Sequence, residues 1–350
     1  MRAVVVPEPN RCEVRDDVPR PAPARGQVLL RVRASTLCGT DQKIVAGQFP
    51  GTPFPHIPGH EFAGEVVAVG DGVDEVQPGD RVGVEVHVGC GRCARCLEGL
   101  YQLCENYGRP ETGHAHVGFT VPGGLAEYAV VPLKTLHKLP PALSWDEGAF
   151  TDNIGIAVYA VERGRLAPGE SVAVLGPGAF GALAVQVARA MGAGRVVLVG
   201  TRQERLARMQ DLGADALIAA RGQDAIDRVR AACGGRGADL VVEFAGTPDA
   251  AREAIQMARR GGRVVLAGAT GPGRELSGVD LSTIVRGHLD IYGSLANPYG
   301  ISTRGLELIA RGAVDVRPLI THHFPLQDFP EAWQTFVERR DGAIRVMLHP

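Results

Sequence analysis

Ser171-Val172-Ala173-Val174-Leu175 runs directly into Gly176-Pro177-Gly178-Ala179-Phe180-Gly181. A short apolar run of strand length therefore meets a turn of the form G-x-G-x-x-G, and an amphipathic helix is expected from there to about Met191. A chain with 46 glycines produces such spacings by chance, so the weight lies in the context of strand, turn and helix. Gly176 permits the tight turn, Gly178 lets the backbone approach a pyrophosphate, and Gly181 allows the helix to pack on the sheet. Ala179 and Phe180 open the helix, whose first N–H groups and positive dipole end face the phosphates. An ordinary glycine-rich turn is the bland alternative; a dinucleotide site is the reading taken.

Working outward, the next strand selects the nucleotide. It ends in Val199-Gly200-Thr201-Arg202, followed by Gln203-Glu204-Arg205. An NAD site carries Asp or Glu near this point to bind the ribose 2′-hydroxyl. Here that carboxylate is missing, and Arg202, with Arg205 close by, offers a planar cation to a 2′-phosphate while Thr201 offers a hydroxyl. The expected cofactor is NADP, with NAD as the alternative. Strands at 195–199, 240–243 and 262–267 alternate with helical patterns, including one over 203–212, which implies a parallel sheet with right-handed crossovers. After about Leu295 the alternation fades into one or two helices and a terminal strand.

The first 150 residues have another character. Segments 27–34, 64–70 and 80–86 read as short strands separated by turns such as Gln77-Pro78-Gly79-Asp80, suggesting a small sandwich or barrel. The 350 residues suit two domains, and the 45% apolar content is enough for packed cores. With 37 basic against 39 acidic residues, no excess positive charge draws the chain to nucleic acid or anionic membranes. No run reaches the roughly 18 apolar residues of a membrane helix, and Pro7 interrupts the first apolar stretch where a signal peptide would continue. A cytoplasmic protein without a disulfide framework is expected.

Cys90-Gly-Arg-Cys93-Ala-Arg-Cys96, with Cys104 beyond, is the most specific local signal. Four thiolates able to converge fit a closed tetrahedral structural zinc site. An iron–sulfur cluster is the competitor, but its bacterial pattern has a shorter final gap and a Pro after the last Cys, where Glu105 stands here. Cys12 and Cys233 read as inert core thiols. Two further fragments, Cys38-Gly39-Thr40-Asp41 and Gly59-His60-Glu61, each look like half of a mononuclear metal site, although either residue alone is more often a buried side chain.

Taken in order, Cys38-Gly-Thr-Asp, Pro58-Gly-His-Glu-Phe-Ala-Gly, Gln77-Pro-Gly-Asp-Arg-Val, the cysteine lobe and the glycine-rich turn resemble the zinc-dependent medium-chain alcohol/polyol dehydrogenases, the group of sorbitol, threonine and secondary-alcohol dehydrogenases. The resemblance spans essentially the whole chain. It implies an α/β protein: a GroES-like β-rich catalytic domain over 1–154 and 296–350, with the structural zinc lobe at about 88–106, and a Rossmann doubly wound parallel sheet over 155–295. It also implies two zinc ions per subunit. The catalytic ion would be held by Cys38, His60 and Asp152, with Glu61 entering or leaving the shell. Asp41 would fix the His60 tautomer, and Thr40 would relay the alcohol proton. Where the family often carries a His five residues after the Cys, Lys43 stands here, which puts the proton exit in doubt; His56 is a substitute on nearness alone.

The activity implied is reversible hydride transfer between a small-molecule alcohol or carbonyl compound and NAD(P), in a homodimer or homotetramer. Gln48, His56, His114 and Asn153 favour a polyol, sugar or cyclitol; the unusual pair His114 and His116 reads as a loop without a ligand, with a further metal site or sugar-hydroxyl donors as the alternatives. Threonine or a simple secondary alcohol remains open, as do a zinc-free enone or quinone reductase on the same scaffold and, in another class, a nucleotide-sensing zinc-binding regulatory protein.

Overall fold

The computed structural model describes residues 1–268, 271 and 273–350. It divides into two compact units: Met1–Asn153 with Pro298–Ala310 and Val316–Pro350, and Ile154–Asn297 with Arg311–Asp315.

The second unit is built on the strand Ser171–Leu175, whose Val, Ala and Leu side chains are buried on both faces, as a central parallel strand requires. Among the described residues six parallel strands run in the order Ala216–Ala219, Arg195–Gly200, Ser171–Leu175, Ala238–Glu243, Ala258–Leu266, Asp290–Gly293. This is the doubly wound order, and its direction reverses beside Ser171–Leu175, where such sheets bind nucleotides. One face buries Ala173, Val197, Val241 and Val264 with Ile226, Val229 and Ile255 from the helices Gly222–Ala232 and Pro248–Met257. The helix expected over 203–212 is shorter, Gln203–Ala207. Beyond it the Met209 and Leu212 N–H groups bond the carbonyls of Leu206 and Met209, tight turns that lead to Gly213 at φ +91°. Residues 311–315 belong to this unit because the Gln186 side chain holds Asp315 through both its backbone groups, at 2.7 and 3.0 Å.

In the first unit the long strand Gln27–Thr36 pairs antiparallel with Glu61–Val69, and Arg81–Val84 and Leu136–Lys138 extend the sheet. Tyr128–Pro132 also pairs with Gln27–Thr36. The alternating Val28, Leu30 and Val32 pack with Phe62, Val66, Val82 and Val131; fully burying a side chain such as Phe62 stabilises by about 2–3 kcal/mol. Two strands from the end of the chain, Ile320–Pro325 and Arg345–His349, pair in parallel, and the latter pairs with Gln27–Thr36 through Met347 and Thr36. Among the described residues no helix is long and apolar enough to cross a membrane.

Candidate active site and metal centres

The antiparallel register does the first work. Thr36 is opposite Glu61, so Cys38, two residues beyond one strand, and His60, just before the other, emerge at the same end of the sheet. Cys38 caps the helix Gly39–Val45, in which Asp41 completes a capping box: its Oδ2 accepts the Cys38 N–H at 2.9 Å. Its Oδ1 accepts the His60 Nδ1–H at 3.0 Å. Asp41 is fully buried and acts as an acceptor in both bonds, so the proton stays on Nδ1 and Nε2 is turned toward the neighbouring donors.

Ligand atoms of Cys38, His60 and Glu61 all lie within 4.8 Å of one another. A thiolate, an imidazole and a carboxylate form a donor set that suits zinc. Burial alone would push His60 down, but Asp41 and Cys38 beside it raise the imidazole well above its ordinary value; a divalent ion competes for that proton. Glu61 is fixed from two sides. Asn153 donates to its Oε1 at 2.6 Å, and Arg345 pairs with its Oε2 at 2.8 Å while also donating to the Leu37 carbonyl.

Asp152 is buried in the helix Thr151–Arg163 but does not join that group of three; its carboxylate takes the Val86 N–H at 3.5 Å. Burial, with the nearby Glu85 carboxylate, pushes it up to about 7. Thr40 Oγ1 lies 3.9 Å from the Cys38 sulfur and is half-buried. His56 donates Nε2–H to the Gly118 carbonyl at 2.9 Å, which ties it to that loop. Arg345 was not expected from the sequence. It comes from the far end of the chain, carries no motif, and reaches the site only because its strand pairs with Gln27–Thr36.

Beside His60 stands an aromatic stack: His60 to Phe119 at 4.9 Å, Phe119 to His116 at 3.5 Å, His116 to His87 at 4.0 Å between ring centroids. His116 Nδ1 meets the Tyr107 hydroxyl at 2.6 Å, and His114 Nδ1 accepts the Gly108 N–H. Burial lowers all three imidazoles of His87, His114 and His116, His87 to about 3, so they are neutral at pH 7.

In the cysteine lobe, Cys90, Cys93, Cys96 and Cys104 place their sulfurs within 4.8 Å of one another, with no disulfide. Cys93 caps the short helix Ala94–Leu97. Backbone N–H groups and the Asn106 amide hold Cys90 down to about 6, while burial pushes Cys96 up to about 12. Four sulfurs gathered with uneven thiol acidities suit a closed zinc site, since the ion replaces the protons of all four.

The glycine-rich turn also fits its ligand. Gly176 sits at φ +101°, a Cβ on Gly181 would lie 2.0 Å from the Gly176 carbonyl oxygen, and a Cβ on Gly178 would meet nothing within 4 Å. The backbone at Gly178 is therefore open to a phosphate, at the start of the helix Ala179–Ala190. Ala179 is buried, and Phe180 stacks on Phe244 at 5.8 Å. A Cβ on Gly200 would strike Pro177 at 2.3 Å, so the end of the second strand abuts the turn and sets the exposed Thr201 and Arg202 and the half-buried Arg205 next to it.

Residues 24–141 match the alcohol dehydrogenase GroES-like domain family and residues 179–311 the zinc-binding dehydrogenase family. The chain is 32% identical over 355 residues to the sorbitol dehydrogenase of Bacillus subtilis (strain 168), covering 100% of this chain and 97% of that one. It is 34% identical over 344 residues to the L-threonine 3-dehydrogenase of Pyrococcus furiosus, covering 95% and 93%. Among solved structures, a chain from Sinorhizobium meliloti 1021, described as a zinc-binding dehydrogenase and bound to NADP, superposes with a TM-score of 0.89 at 31% identity, covering 100% and 99%.

Proposed function

The chain belongs to the zinc-binding alcohol dehydrogenases, and from that membership we propose that it moves a hydride between a secondary alcohol of the polyol, sugar or cyclitol class and NADP. The observation that carries this reading is the convergence of Cys38, His60 and Glu61, with the His60 tautomer set by Asp41. A zinc ion in that set supplies the Lewis acidity that makes a bound hydroxyl more acidic, and NADP supplies the carbon that takes the hydride.

The remaining tasks fall to the chain. Cys38 and His60 hold the ion. Asp152 would complete the donor set, with Glu61 as the alternative carboxylate, and a divalent charge there would relieve the crowding of the buried Asp152, Glu61 and Glu85 carboxylates. Thr40 accepts the alcohol proton at its hydroxyl. Residues 1–153 and the late segments form the catalytic domain and the parallel sheet the nucleotide domain, where Gly178 and its helix take the pyrophosphate and Arg202 the 2′-phosphate. Cys90, Cys93, Cys96 and Cys104 hold the second, structural zinc.

The stack beside His60 supports the substrate class. His87, His114 and His116 are neutral imidazoles, which exchange hydrogen bonds with hydroxyl groups but provide no cation for a carboxylate. That favours a polyol over threonine, whereas the resemblance to the Pyrococcus furiosus enzyme favours threonine as the second reading. None of the seven cysteines is in a disulfide, which accords with a reducing cytoplasm, and self-association as a dimer or tetramer completes the proposal.

A panel of polyols, L-threonine and simple secondary alcohols, followed by reduced-nicotinamide absorbance with NADP and NAD in parallel, tests it. The expected result is polyol turnover with NADP, abolished in Cys38→Ser although the nucleotide still binds. Undiminished turnover in that variant overturns the zinc mechanism, and a preference for L-threonine overturns the substrate class.

A further inference from the structure

Far along the chain from the cysteine lobe and the Cys38 site in sequence, a third set of donors converges in the first unit. His323 lies on the strand Ile320–Pro325 and His349 on its parallel neighbour Arg345–His349, where His323 is opposite Met347 and Pro325 opposite His349. That register makes the two histidines diagonal neighbours on one face of the sheet, because alternate residues share a face. Their rings are nearly parallel, 7° apart in plane and 5.5 Å between centroids. Both present a nitrogen to Asp146: His349 Nε2 lies 2.8 Å from Oδ1 and His323 Nδ1 lies 3.6 Å from Oδ2. Asp146 is held in the first turn of the helix Trp145–Gly148, whose capping box between Ser144 and Glu147 is complete. One ligand atom from each of the three residues lies within 4.8 Å of the others.

We propose that Asp146, His323 and His349 form a third metal site, one that takes a borderline divalent cation such as Zn²⁺. Two imidazoles and one carboxylate are the donor set of zinc and its late first-row neighbours, and a single carboxylate is too few oxygens for Ca²⁺ or Mg²⁺. With metal–donor bonds of about 2.0–2.1 Å, donors around a tetrahedral ion stand about 3.3 Å apart, a spacing that small side-chain rotations reach from those observed here. Exposure fits an exchangeable ion, not a closed structural one: the side chains of His323, His349 and Asp146 are 52%, 39% and 25% exposed, which leaves water to complete the shell. The ion would fasten the strand Arg345–His349 to the helix Trp145–Gly148. That strand also carries Arg345, the partner of Glu61, but the ion would touch neither Arg345 nor the donors at Cys38 and His60.

The test uses the zinc-loaded protein equilibrated with excess Zn²⁺, then freed of unbound metal, with zinc counted per chain. The wild type is expected to retain one more equivalent than His323→Ala and to gain thermal stability on Zn²⁺ addition, a shift the variant lacks, while turnover is the same in both. Cu²⁺ added to the same zinc-loaded protein is expected to show imidazole nitrogen coupling in its paramagnetic resonance spectrum, lost in His349→Gln, which keeps a hydrogen-bond donor toward Asp146. Equal zinc counts and equal thermal shifts in wild type and His323→Ala overturn the proposal and leave the cluster a hydrogen-bonded imidazole–carboxylate group. A Cu²⁺ spectrum unchanged by His349→Gln overturns it as well.

Discussion

Asp41 has both carboxylate oxygens committed, one to His60 and one to the backbone of Cys38, so a single buried side chain orients two of the proposed ligands. Asparagine at this position keeps one oxygen for the helix cap but turns an NH2 group toward His60 Nδ1, where it cannot accept. Asp41→Asn is therefore expected to retain the fold and the zinc of the cysteine lobe, yet to lose about 10–100-fold in affinity for the catalytic zinc or in turnover. Zinc counted during graded chelation, alongside activity, checks this; wild-type retention at both sites would assign Asp41 to capping alone. Arg202, the proposed partner of the 2′-phosphate, would act by charge instead of position. It caps the helix Gln203–Ala207 in an extended conformation and is exposed. Removing one charge-assisted bond to a phosphate costs about 1.5–3 kcal/mol, so Arg202→Ala is expected to raise KM for NADP about tenfold or more and leave KM for NAD unchanged. An equal effect on both cofactors would remove the argument for NADP.

The parallel sheet of the second unit is tied at its entry edge by Asp239. Oδ2 accepts both the N–H and the hydroxyl of Ser171, at 2.8 and 2.6 Å, and Oδ1 pairs with Arg259. Burial would push this carboxyl up, but the Ser171 bonds and the Arg259 guanidinium hold it down to about 2. A carboxyl lower in the folded than in the unfolded chain contributes stability above its unfolded value and loses it as pH falls through the folded one. Asp239→Asn is therefore expected to lower unfolding stability by about 1–2 kcal/mol at pH 7 after allowance for solvent screening. In denaturant titrations across pH the gap to wild type should narrow between about pH 5 and pH 2, and a gap independent of pH would refute the assignment. How much of each element was legible follows from how local its cause is. The turn at 176–181 and the cysteine lobe declare themselves because their chemistry lies within a few consecutive residues. Cys38 and His60 depend on a strand register, which the sequence carries only as a resemblance to a family. The short strands Ala216–Ala219 and Asp290–Gly293 gave no distinct signal, since four residues carry too little periodicity. The helix expected over 203–212 ends early, at Ala207: Leu206 and Met209 are buried with helical spacing, but the chain beyond Leu206 has already tightened into turns.

For the molecule as a whole, the remaining question is what covers the outer edge of the parallel sheet. Asp290–Gly293 is its last strand and pairs on one side with Ala258–Leu266. Ile291 on that strand is 36% exposed, and the adjoining helix Leu281–Gly287 presents Leu281 and Val285, at i and i+4 on one face, 73% and 75% exposed. Among the described residues no further strand pairs with Asp290–Gly293, although Arg163 donates to the Gly293 carbonyl at 3.1 Å; an unpaired edge beside exposed aliphatic side chains is an aggregation hazard unless a partner covers it. In the proposed homo-oligomer a second copy of the chain would meet that need by symmetry, since strand–strand pairing across a two-fold axis joins the same surface to itself. The formal net charge of −2 raises little repulsion between copies. The double variant Leu281→Asp, Val285→Asp places four like charges across the proposed axis and is expected to shift the protein from dimer or tetramer to monomer in size-exclusion chromatography with light scattering. Nucleotide binding, proposed at the turn after Ser171–Leu175 in the middle of the sheet and three strands in from this edge, should persist. A monomeric wild type at micromolar concentration, or a variant that still elutes with the wild-type mass, would mean that this edge stays open to solvent and that any assembly uses another surface.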